Sequence, residues 1–65
     1  MTDETNPCQE QGVYYLPYPY DCKQFVQCNN GRFILMPCPE GTEWDDNMQM
    51  CNWPEEAQCV DLPRP

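Results

Sequence analysis

Six cysteines, Cys8, Cys22, Cys28, Cys38, Cys51 and Cys59, stand in a chain of 65 residues, and no other feature constrains its fold as strongly. A chain this short makes one domain and buries too little surface for an apolar core alone to hold it. Thiols at this density mark a disulfide scaffold made in an oxidising compartment, since a reducing cytosol would keep them apart. The competing uses of cysteine fail on spacing. The intervals are 13, 5, 9, 12 and 7 residues, so there is no C-x-x-C pair, and the chain contains no His. Structural zinc sites bring their ligands in close pairs, often with His, and thiol redox sites need C-x-x-C. Neither a metal nor a cofactor is expected. Three structural disulfides remain, with every pairing of the six cysteines open at this point. A bridge closing a loop of about 15 residues or more stabilises by about 3 kcal/mol, which replaces much of what the small core lacks.

Charge narrows the partners. Asp and Glu total 11 against 3 Lys and Arg, a formal net charge of -8. That balance repels nucleic-acid phosphates and anionic membranes, and no apolar run approaches the roughly 20 residues of a membrane span. Met1–Pro7 carries neither a basic stretch nor an apolar one, unlike a signal peptide. The expectation is a mature domain behind an added Met1, or a piece of a longer secreted chain, acting as a monomer or as one module. Residues 1–7 and 60–65, polar and proline-bearing outside the outermost cysteines, are expected to be flexible tails or linkers around a domain at 8–59.

Local signals are short and β-like. Pro17 and Pro19 exclude a helix or central strand from the segment between Cys8 and Cys22, leaving an edge strand at best. Lys23–Cys28 and Arg32–Met36 read as strands, and Asn30-Gly31 between them suits a type I′ turn. With a two-residue turn Phe25 shares a face with Ile34 and Met36; one further loop residue would swap the faces. Thr42–Asp45 and Gln49–Trp53 form a second hairpin around Asp46-Asn47-Met48, and Pro54 opens one helical turn. The class is small, all-β and disulfide-rich.

The unusual content is aromatic: Tyr14, Tyr15, Tyr18, Tyr20, Phe25, Phe33, Trp44 and Trp53. So small a domain cannot bury them all. An exposed ring matches the axial C–H face of a pyranose, and neighbouring Asp, Asn and Gln can bind hydroxyls or an acetamide. Trp44 is followed by Asp45, Asp46 and Asn47, and Trp53 is preceded by Asn52. Both indoles are also the largest pieces available to a poor core. A single-strand nucleic-acid groove would need more basic residues than Lys23, Arg32 and Arg64. No catalytic residues are expected. Asp45 and Asp46 adjoin at a turn, whereas glycoside hydrolysis sets two carboxylates about 5 Å or more apart across a bond. Nor do they match a calcium loop.

Taken together, these residues resemble the peritrophin-A type chitin-binding domain, carbohydrate-binding module family 14. The cysteine intervals carry the resemblance. So do Tyr18-Pro19-Tyr20-Asp21-Cys22, Cys22-x-x-Phe25-x-x-Cys28, Cys38-Pro39-x-Gly41-x-x-Trp44 and Cys51-Asn52-Trp53-Pro54-x-x-Ala57-x-Cys59. It runs from Cys8 to Cys59; Thr42 departs from it, where an aliphatic residue is usual. The resemblance implies bridges Cys8–Cys28, Cys22–Cys59 and Cys38–Cys51. It implies a three-stranded antiparallel sheet followed by a two-stranded hairpin. Its ligand would be chitin or oligomers of N-acetylglucosamine. Carried over by position, Trp53 and Asn52 rank first as site residues, then Asp45, Asp46 and Asn47. Trp44, Phe25, Tyr18 and Tyr20 are further platform candidates. The competing reading is a secreted protein-binding module, such as a protease inhibitor, presenting Tyr14–Asp21 as a rigid loop.

Overall fold

The computed structural model describes residues 6–63. Strands β1 (Val13–Pro17), β2 (Gln24–Asn29) and β3 (Arg32–Pro37) form an antiparallel sheet in that order. Strands β4 (Glu43–Asp45) and β5 (Met50–Asn52) form a separate hairpin, followed by one helical turn, α1 (Pro54–Ala57). The anticipated pairing of the cysteines is the one observed: Cys8–Cys28, Cys22–Cys59 and Cys38–Cys51.

Asn30 and Gly31 form a two-residue turn, because Asn29 pairs directly with Arg32. Both turn residues have positive φ, +50° and +90°, the conformation that Asn tolerates and Gly adopts freely. That short turn fixes the register: Phe25 lies opposite Met36, and Gln27 opposite Ile34. On the other side of β2, Tyr15 lies opposite Gln27 and Pro17 opposite Phe25. Alternation then gives the sheet two faces. One carries Tyr15, Phe25, Gln27, Ile34 and Met36; the other carries Tyr14, Leu16, Val26, Cys28, Phe33 and Leu35. Pro17 ends β1 at the sheet edge, where its missing N–H costs no ladder bond.

Each face builds a small core. On the second face, Val26 and the Cys8–Cys28 bridge are buried, with Tyr14, Leu16 and Tyr18 packed against them. On the first, Trp44 of β4 is buried at 3% exposure and stacks on Phe25, centroids 4.5 Å apart and planes 17° apart. Tyr15 meets both rings, at 5.9 Å from Phe25 and 6.2 Å from Trp44. Among the described residues six are buried and three of these are bridged cysteines, so sulfur stands where a larger protein would place aliphatic side chains.

Backbone bonds and bridges join the two sheets. Trp44 N donates to Cys22 O at 2.8 Å, and Cys38 N donates to Lys23 O at 2.8 Å. Beyond the outermost cysteines, Asn6 Nδ2 donates to Gly31 O at 3.1 Å. At the other terminus Cys22 N donates to Asp61 Oδ1 at 2.6 Å, and Leu62 N donates to Pro19 O at 2.8 Å. The parts of the expected tails at residues 1–5 and 64–65 lie outside the described residues.

Candidate functional site

The two tryptophans have opposite surroundings. Trp44 sits within β4, opposite Cys51, with its ring driven into the sheet. Its Nε1 donates to Asp46 Oδ1 at 3.2 Å. Trp53 follows β5 and precedes Pro54, and it is 61% exposed. The Trp53 ring lies over Gly41: a Cβ there would meet its Cζ3 at 4.0 Å, and Gly41 holds φ +87°. One indole is therefore core, and the other is a bare ring on the surface.

Asp45 and Asp46 bond within the hairpin's own turn. Asp45 is buried; its Oδ1 accepts from Met48 N at 3.1 Å and its Oδ2 accepts from Asn52 Nδ2 at 3.2 Å. Asn52 Oδ1 in turn accepts from Trp53 N at 2.8 Å. This chain of bonds, Asp45 to Asn52 to Trp53, fixes the backbone that presents the exposed indole. Asp46 Oδ1 also accepts from Gln49 Nε2 at 3.0 Å, and Gln49 turns the chain at φ +56°. Asn47 is exposed at the tip.

Of the residues singled out from the sequence, Asp45, Asn52 and Trp53 thus form one connected group. Trp44 and Phe25 come together, but their ring faces are turned on each other. Tyr18 and Tyr20 pack edge to face at 5.6 Å on the opposite side of the sheet, in a hollow shared with Leu16, Val26 and Phe33.

Sequence reasoning missed a groove between the hairpin and the three-stranded sheet. Its volume is about 340 Å³, with Tyr15, Phe25, Trp44, Met36 and Met50 as walls and Gln27 and Gln49 as its amides. No lining residue carries a formal charge, in a chain of net charge -8. The signal available in the sequence was the alternation Phe25-x-Gln27, which places both on one face whatever the register. What covers that face depends on how the hairpin docks. Among the described residues, no group of three or more His, Cys, Asp or Glu is placed to hold a metal ion.

Comparison with known proteins accords with this scaffold. The chitin binding Peritrophin-A domain family matches residues 8–59. Peritrophin-1 of Anopheles gambiae is 37% identical over 63 residues, covering 92% of this chain and 41% of the relative. Race-specific elicitor A4 of Passalora fulva is 30% identical, over 98% of this chain and 62% of its own length. Probable chitinase 10 of Drosophila melanogaster is 32% identical over 88% of this chain but 2% of its own length. The chain thus spans less than two thirds of each of these relatives. With the match running from the first cysteine to the last, the chain belongs to the chitin binding Peritrophin-A domain family.

Proposed function

We propose that the chain is a non-catalytic module that binds chitin, or oligomers of N-acetylglucosamine, with Trp53 as its stacking platform. The observation that carries this reading is the exposed indole of Trp53, buttressed by Gly41 and by the Asp45–Asn52 bonds. A large ring held bare on a rigid support offers a flat apolar face, and a pyranose face is the partner that such a ring suits. Membership of the family and relatives named as a peritrophin and a chitinase support the choice of sugar. The Asp45 and Asp46 carboxylates are occupied by the hairpin's own groups, which suits an uncharged polymer. The protein-binding alternative has less to stand on, since Tyr14, Leu16 and Tyr18 of the segment it needs pack against the core. Three disulfides support a secreted setting, in which the module acts as a monomer or as one unit of a larger extracellular protein.

Retention on chitin beads tests the reading. Binding should persist from about 0.1 M to about 1 M sodium chloride, although the Debye length falls from about 10 Å to about 3 Å. No retention, or retention lost at the higher salt, would overturn it.

A further inference from the structure

We infer that the groove between the hairpin and the sheet is a pocket for the acetamido group of a sugar, and that Gln27 within it selects N-acetylated over deacetylated chains. The inference rests on the chitin-binding reading and names the part of the ligand that the groove takes.

Size and polarity carry the first step. At about 340 Å³ the groove lies at the lower end of the range for ligand sites, about 300–1,000 Å³. It is open to solvent along Met50, which is 47% exposed, and Tyr15, which is 38% exposed. Its walls are aromatic rings and thioethers, soft surfaces on which a methyl group packs well. No carboxylate lines it to pair with a sugar ammonium, and no cation lines it to pair with an acidic sugar. The ligand group that fits is neutral, partly apolar and partly polar.

Gln27 supplies the polar part. It stands in the central strand of the sheet, between Tyr15 and Ile34 on the neighbouring strands, and is half-buried. Among the described residues its side-chain amide makes no hydrogen bond, whereas Gln49 at the rim has committed its amide nitrogen to Asp46. No fully buried side-chain nitrogen or oxygen there lacks a partner, so the Gln27 amide opens into the groove rather than being sealed under it. A primary amide offers a donor and an acceptor side by side. An acetamide presents the complementary pair, N–H and C=O, with a methyl at the far end for Phe25, Met36 and Met50. An amine in its place offers no acceptor to the Gln27 NH₂ and leaves the apolar walls without the methyl. Deacetylation therefore loses contacts on both counts.

The test is a titration of the full chain with β-1,4-linked oligomers of N-acetylglucosamine and of glucosamine, in mildly acidic buffer, followed by calorimetry and by amide NMR. The unmodified protein should favour the acetylated oligomer by about tenfold or more, with Gln27 side-chain signals shifting on binding. Gln27→Met keeps the length and unbranched stem but removes the amide; affinity for the acetylated oligomer should fall about tenfold, erasing the preference. Gln27→Glu is the second variant, and it should reverse the preference by pairing with the protonated amine. If either variant, folded by NMR, keeps the original preference, the inference is overturned while chitin binding through Trp53 stands. If the unmodified protein binds neither oligomer, the chitin-binding reading falls and takes this one with it.

Discussion

Truncating Trp53 to alanine separates a ring held for a ligand from a ring held by the fold. A large aromatic side chain offers up to about 250 Å². At 61% exposure, about 150 Å² of that faces solvent. A stacked sugar covers one side of the ring, about 75 Å². At about 25 cal/mol per Å², that burial is worth about 2 kcal/mol, or a roughly 30-fold loss of affinity for the alanine variant. The remaining surface, about 100 Å², lies against Gly41 and the hairpin, which bounds the stability loss at about 2.5 kcal/mol. Three bridges constrain the unfolded chain throughout, and the Trp53 N–H keeps its bond to Asn52. The variant should therefore fold, with native-like NMR dispersion and three intact disulfides, and bind chitin oligomers roughly 30-fold more weakly by calorimetry. A folded variant of unchanged affinity refutes the platform. A variant that fails to fold assigns Trp53 to the core and refutes the reasoning from its exposure.

Substitutions at two further positions probe the scaffold. Asp45→Ala strips the acceptors from Met48 N and Asn52 Nδ2; it should cost about 2 kcal/mol and lower the melting temperature by about 10 °C, and an unchanged thermal scan refutes the brace. Asp45→Asn, which keeps an acceptor, should recover part of that loss. Gly31→Ala forces a Cβ into φ +90° with only the Cys8 carbonyl oxygen nearby, at 3.8 Å. Backbone strain alone should then lower the unfolding free energy by about 1–2 kcal/mol, read as a lower urea midpoint at constant slope. A neutral result would mean that the turn relaxes at no cost.

The hairpin at Asn30-Gly31 was legible because two residues able to take positive φ fall between two apolar strands, and no tertiary contact is needed to see that. Which residues of β3 share a face with Phe25 was not legible until the turn length was known, and that this face met Trp44 depended on how the hairpin docks. The cysteine pairing came through the family resemblance, since intervals alone leave every pairing open. Trp44 and Trp53 looked alike in the sequence, each beside polar neighbours. Their fates diverge because Trp44 lies in mid-strand facing the sheet, whereas Trp53 lies past the strand, ahead of Pro54. Asp45 and Asp46 were visible as turn residues, but the inward aim of their oxygens depends on atoms of Met48, Gln49 and Asn52. The groove around Gln27 was hidden for the same reason. It is made by two sheets, and only the assembled pair encloses it.

The bonds of Asn6 and Leu62 fix where the backbone enters and leaves the domain. Asn6 ties the incoming backbone to Gly31, at the turn where β2 ends. Asp61 and Leu62 tie the outgoing backbone to Cys22 and Pro19, ahead of where β2 begins. The six residues of β2 lie between these anchor points, a distance of roughly 20 Å along a strand. A polypeptide threaded through this unit arrives at one pole and departs from the other. Any segment fused beyond either anchor would therefore leave from its own pole, its direction set by the bond that holds the backbone there.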